Sequence, residues 1–188
     1  MSEGATMRTV VAITIHQRTT ITTIRTRSLR TGWTTMLPYI MVWESTKGKE
    51  EPKPIEPSYI PLEVAERSIA SYKTKNPLYI YLRGVIGESE TNRIFRLYCV
   101  GTANKWGGST VFWQLDVNGN VRAGKIMGYD RKTGHRIKEP QSQVTWAHSE
   151  LKLSDFHLVQ CLFGEHLLKE RPTAPVALVE SEKTALIM

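Results

Sequence analysis

The spacing of apolar residues predicts three helices in the first part of the folded region. Pro61 suits a first helical position, and apolar residues follow it at near-helical spacing over residues 61–72. Asn76 followed by a proline is typical of a helix start and predicts a second helix over residues 76–86. A third helix is expected over residues 89–98, which open with Ser and Glu.

The period of the apolar residues then changes to two, which predicts a β-hairpin. Strands are expected over residues 110–115 and 121–129, with turn residues at 116–120 between them. A second turn is expected at residues 130–134, and residues 144–146 are predicted to pair as a further strand. Helices followed by a meandering sheet indicate an α+β fold.

The C-terminal part predicts a helix, a strand and the start of another helix. Residues 156–168 look mainly helical. Residues 175–179 form a short continuous apolar run, which is typical of a strand buried on both faces, and a helix is expected to begin at residue 181. We expect this strand to have no parallel partner within the chain.

The first 60 residues differ in composition and are expected to be a disordered extension and linker. Residues 1–36 are rich in Thr and Arg, and no Asp or Glu lies between Gly4 and Trp43. An organelle transit peptide has a similar composition, but helical amphipathicity is missing here. Residues 47–61 are rich in Pro and charge, as solvated linkers are. No apolar run is long enough to span a membrane, so we expect a cytoplasmic protein.

The net positive charge of the chain is small outside its first 36 residues, so a polyanionic partner is indicated only by local clusters of basic residues. The formal net charge is +7, but the first 36 residues hold five of the 25 basic residues and one of the 18 acidic residues, so the remainder carries only +3. A basic cluster on the predicted hairpin can follow phosphates without reading bases; it consists of Arg122, Lys125, Arg131, Lys132, Arg136 and Lys138. Trp106 beside Lys105, and also Trp113, can add base stacking if they are exposed. The alternative for the cations is a solvated hairpin, and for Trp113 packing in the core is the favoured prediction.

Glu180 is the candidate catalytic and metal-binding residue. It follows the apolar run, where open α/β sheets place their ligands. Alternatively, Glu180 and Glu182 only favour the positive end of a helix that Ser181 caps. The sequence contains no other metal-binding or nucleophile motif. Cys99 and Cys161 lie far apart and are expected to be reduced, buried thiols.

Several segments resemble DNA primases and related Toprim proteins. The run Val-Glu-Ser-Glu-Lys-Thr-Ala at residues 179–185 resembles the opening motif of Toprim domains, and residues 110–124 resemble the primase core that precedes it. The blocks at residues 101–106, 124–127 and 163–168 are similar to those of primase-like proteins of bacterial mobile elements. The resemblance covers about residues 72–188.

The resemblance implies Mg²⁺-dependent primer synthesis on single-stranded DNA, with a replicative helicase as a further partner. Residues 61–172 would form a primase-core-like template-binding region, and residues 173–188 would form the first β-α unit of an α/β Toprim domain. Glu180 would hold Mg²⁺ together with a downstream Asp-x-Asp cluster. The sequence ends before such a cluster, so we expect the chain to be inactive alone. A non-enzymatic DNA-binding fragment and a degenerate mobile-element gene product are the alternatives.

Overall fold

The computed structural model describes residues 9–12, 56–170 and 172–188. Its elements, in chain order, are β1 (Thr9–Ala12), α1 (Leu62–Ile69), α2 (Tyr72–Lys75), α3 (Pro77–Ile86), α4 (Glu88–Leu97), β2 (Val100–Ala103), β3 (Ser109–Leu115), β4 (Val121–Met127), β5 (Val144–Trp146), α5 (Ala147–Glu150), α6 (His166–Glu170), β6 (Val176–Val179) and α7 (Glu182–Ile187). This is an α+β fold. Within the described ranges, no helix has the length and apolar character needed to cross a membrane.

The three predicted helices are confirmed as α1, α3 and α4, and each begins within one residue of its predicted start. Pro61 precedes α1, and the buried Asn76 caps α3 by accepting hydrogen bonds from the amides of Leu78 and Tyr79. Its side-chain amide also donates to the carbonyl of Gly101 at 2.8 Å, and Thr110 donates to its side-chain oxygen at 2.8 Å. Asn76 therefore joins the start of α3 to strands β2 and β3. Helix α4 starts at residue 88, one residue before the predicted start.

A four-stranded antiparallel sheet in the order β2-β3-β4-β5 lies at the centre of the fold. The predicted hairpin is confirmed as β3 and β4, and the predicted strand at 144–146 is β5. Asp116 closes the hairpin turn, since its carboxylate accepts from the amides of Asn118 and Asn120. Strand β2 was not predicted, because its four residues, Val-Gly-Thr-Ala, carry no clear alternation.

The sheet separates two apolar clusters. Alternate residues of β3 point to opposite faces, so Val111 and Trp113 pack with Ala65 of α1, whereas Phe112 packs with residues of α3, α4 and α7. Trp113 is only 2% exposed and donates from Nε1 to the hydroxyl of Ser68 at 2.7 Å. Its predicted place in the core is confirmed.

Two glycines make room for the Trp113 ring. A methyl group at Gly124, which pairs with Trp113, would lie 2.4 Å from the ring atom Cζ3, and one at Gly101 would lie 2.7 Å from Nε1. Both distances are shorter than a van der Waals contact allows. Gly101 and Gly124 therefore have a packing role.

The predicted helix over residues 156–168 is wrong for most of its length, since only residues 166–170 are helical. The segment before it bonds to neighbouring elements instead of to itself. The carbonyl of His157 accepts from the amide of Ser58 at 3.1 Å, and that of Val159 accepts from Arg122 at 3.0 Å. Backbone groups satisfied in this way do not need a helical ladder.

Strand β6 has a parallel neighbour, which corrects the expectation that it has none. Its four residues pair with β1, which lies within the extension that was predicted to be disordered. Val176 and Leu178 are 49% and 61% exposed, so the predicted burial on both faces is also wrong. Only Ala177 and Val179 pack against the core. The rest of the predicted extension and linker, up to residue 55, lies outside the described residues.

Candidate nucleic-acid interface

One end of the four-stranded sheet carries most of the predicted site residues. Thr110, near the start of β3, pairs with Met127 at the end of β4, and Met127 pairs with Val144 at the start of β5. The β2–β3 turn and the β4–β5 connection therefore lie at the same end. The turn at residues 116–120 lies at the opposite end.

The β4–β5 connection contains a well-defined loop at residues 130–138, which we name the basic loop. The carboxylate of Asp130 accepts from the amides of Lys132 at 2.9 Å and Thr133 at 2.7 Å, and these hydrogen bonds hold the pKa of Asp130 below its usual value. Gly134 takes a positive φ of 65°, and Tyr129 and Arg136 form a β-bridge that closes the loop. The one acidic residue of the loop, Asp130, therefore stabilises the backbone of the loop through these hydrogen bonds.

Four of the six cations of the predicted hairpin cluster lie together on the basic loop. All four are exposed, and none lies within 4.0 Å of a carboxylate oxygen of the described residues; they are Arg131, Lys132, Arg136 and Lys138. Surface charges that form no ion pair with a described carboxylate remain available to a polyanion. The loop therefore has the character of a phosphate-contacting surface.

The other two cations of the predicted cluster do not join this surface. Arg122 lies at the start of β4, where its guanidinium donates to the carbonyl of Val159 and lies 3.6 Å from the carboxylate of Asp116. Lys125 is 6% exposed and lies on the same face of the sheet as the buried Met127. The alternation of β4 contained this information, because Lys125 is in phase with the buried Met127.

Lys125 forms a buried ion pair with Glu182 of α7. Its Nζ lies 3.0 Å and 3.4 Å from the two carboxylate oxygens, and Glu182 is 2% exposed. Tyr129 lies nearby, and its pKa is raised by burial and then by the Glu182 carboxylate, while Arg136 acts in the opposite direction. Glu182, which the sequence placed at a helix end, is therefore a core residue that holds α7 against β4.

Glu180 lies exposed at the end of β6, and the segment that follows it is tied to the basic loop. Ser181 caps α7 as expected, since its hydroxyl accepts from the amide of Thr184 at 3.1 Å. Lys183 donates from Nζ to the carbonyl of Gly134 at 3.0 Å. The helix that follows Glu180 thus contacts the basic loop.

The described residues do not by themselves make a magnesium site around Glu180. No group of three or more His, Cys, Asp or Glu within the described ranges is suited to hold a metal ion. The acid nearest in sequence, Glu182, is turned inward to Lys125. Mg²⁺ needs several oxygen ligands, and Glu180 alone does not supply them.

Lys105 and Trp106 lie in the β2–β3 turn, at the same end of the sheet as the basic loop. Trp106 is 39% exposed, so the condition for base stacking is met. Lys105 Nζ lies 5.3 Å from the centre of the Trp106 ring and 2.8 Å from the Glu150 carboxylate. Part of the Lys105 charge is therefore neutralised by Glu150.

The cysteines show no feature of a reactive site. Both thiols are free and half-buried, so they are less buried than expected. Burial raises the pKa of Cys99, and it raises that of Cys161 to about 12. A raised pKa disfavours the thiolate, which is the reactive form.

Comparison with known proteins gives one family. A protein-family model described as "Domain of unknown function (DUF6371)" matches residues 76–188, which is more than half of the chain. The matched part runs from α3 to α7 and includes the basic loop and Glu180. No curated protein and no solved structure matches the chain.

Proposed function

We propose that this chain, which belongs to the DUF6371 family, is a DNA primase-like protein of the Toprim superfamily that takes part in primer synthesis on single-stranded DNA. One observation carries the proposal. Lys183 donates to the carbonyl of Gly134, so the helix that follows Glu180 contacts the loop that carries four exposed cations. Such an arrangement suits an enzyme that must hold a template strand beside its reacting phosphates.

The basic loop would contact the template through its phosphates. Its cations lie on a loop at the surface and not on an element shaped to enter a groove, so they favour contacts that do not depend on base sequence. The proposed binding is therefore electrostatic, and it weakens as counterions compete for the phosphates.

Glu180 would contribute one carboxylate to a Mg²⁺-dependent nucleotidyl transfer centre. Bound magnesium supplies charge neutralisation at the reacting phosphates. This role rests on the resemblance of residues 179–185 to the Toprim motif and on the exposure of Glu180 at a strand end. The remaining ligands would have to come from outside the described residues.

A second candidate function is DNA binding without catalysis. It is favoured by the inward orientation of Glu182, whose carboxylate is bound to Lys125. Glu180 is then the one exposed carboxylate of its motif. Both candidate functions share the same DNA-contacting surface, so a test of the surface bears on both.

The surface is tested by the salt dependence of binding to a fluorescent oligo(dT), measured by anisotropy. Each phosphate contact on a single strand contributes a slope of about −0.7 in log K against log salt, so replacing the four basic-loop cations by alanine should flatten the slope by up to about 2.8. The matched control removes four exposed cations from helices elsewhere, namely Arg67, Arg83, Arg96 and Lys169. Equal effects of the two variants, or no binding by the unmodified chain, would contradict the proposal.

A further inference from the structure

Trp106 occupies an unfavourable position on two counts. It has a φ of 55°, in the left-handed region that side-chain-bearing residues avoid. It is also 39% exposed, although tryptophan gains more from burial than almost any other side chain. Strained and exposed residues of this kind are found at binding sites, where function maintains them.

Two further lysines lie beside the Trp106 turn. The backbone of Gly108 approaches the end of α2 so closely that a methyl group on it would lie 2.6 Å from the carbonyl oxygen of Lys75. Lys73 and Lys75 are both exposed, and neither forms an ion pair with any described carboxylate. Unlike Lys105, which is bound to Glu150, they keep their charge for a ligand.

Helix α3 connects this turn to the basic loop. It begins two residues after Lys75, and its Tyr81 packs so closely on Gly134 that a methyl group there would lie 2.3 Å from the ring. Within α3, Pro77 and Tyr81 are separated by about 6 Å at about 1.5 Å per residue.

We infer that Trp106, with Lys73 and Lys75, forms a base-stacking platform that makes the protein select single-stranded over duplex DNA. The inference rests on the proposed function, because the platform extends the surface of the basic loop. The lysines hold the phosphates, and the exposed indole stacks on a base that is free of its pairing partner. A base inside a duplex has no accessible ring face, so it gains nothing from Trp106.

The test compares binding to oligo(dT), to an abasic strand of equal length and to a duplex. Trp106→Gly is the main variant, because glycine adopts a φ of 55° without strain and the turn is kept. It should weaken oligo(dT) binding about 5- to 150-fold and leave abasic and duplex binding unchanged. Trp106→Phe should recover most of the lost affinity. Lys73→Ala with Lys75→Ala should weaken binding to all three ligands.

Tyr59→Ala is the matched control. Tyr59 is 48% exposed and has the Arg122 guanidinium 5.5 Å from its ring centre, as Trp106 has Lys105. It lies at the opposite end of the sheet, next to Ile60, which bridges to Val121. The control should not change binding to any of the three ligands.

The outcomes separate this inference from the proposed function. If the unmodified protein binds neither single strand, the proposed function fails. If it binds oligo(dT) and the abasic strand equally well, or if Trp106→Gly weakens both equally, the stacking platform is refuted and the phosphate-contacting surface remains.

Discussion

Replacing Lys125 by methionine removes the charge that neutralises Glu182 inside the core. The two side chains are 8% and 2% exposed, and the ammonium lies within 3.4 Å of both carboxylate oxygens. Methionine retains the length of the lysine stem but leaves the carboxylate buried. Removing one partner of a buried pair costs about 3–5 kcal/mol. For a domain of this size, that corresponds to a loss of roughly 6–20 °C in Tm.

The assay is urea denaturation followed by tryptophan fluorescence and circular dichroism. Lys138→Met is the control, because Lys138 is exposed and the same change there should alter stability by less than about 0.5 kcal/mol. Combining Lys125→Met with Glu182→Leu should recover most of the loss, since an apolar pair can replace a buried ion pair at little cost. A loss in the single variant no larger than in the control would refute the view that this pair holds α7 against β4.

Three further predictions concern the fold and the site. Asn76→Ala should destabilise the protein by about 2–4 kcal/mol in urea titrations, because it removes a helix cap and leaves buried polar groups without partners; a loss below about 1 kcal/mol would argue against its joining role. Gly124→Ala should lower the Tm by clashing with Trp113, whereas Gly84→Ala, with open space around it within α3, should raise it slightly; a fall of similar size in both would be inconsistent with this. Glu180→Gln should leave the Tm unchanged but abolish Mg²⁺-dependent nucleotide incorporation once a Toprim segment with its Asp-x-Asp cluster is supplied; full incorporation would exclude Glu180 from the reaction.

The sequence predicted the structure correctly where a side chain forms hydrogen bonds with residues close to it in the chain. Asn76 caps the helix that follows it, and Asp116 closes the turn that it begins. Both interactions span two to four residues, so the residue type and its position predict them. The α+β class and the hairpin followed from such signals.

The sequence did not predict the structure where contacts between distant parts of the chain determine it. The partner of Lys125 is 57 residues away, so the alternation of β4 can place this lysine on an apolar face but cannot identify Glu182 as its partner. Strand β2 owes its extended form to pairing with β3, and β6 pairs with β1 from the other end of the chain. Spacing along the sequence contains no information about these contacts.

The most direct test of the central claim is to map where single-stranded DNA contacts the protein. A 5-bromodeoxyuridine oligonucleotide is crosslinked to the full chain by ultraviolet light, and the modified peptides are identified by mass spectrometry. We predict crosslinks at Trp106 and within residues 130–138, and their loss at high salt. Crosslinks confined to the opposite end of the sheet, at Tyr59 or residues 116–120, would contradict the proposed DNA surface.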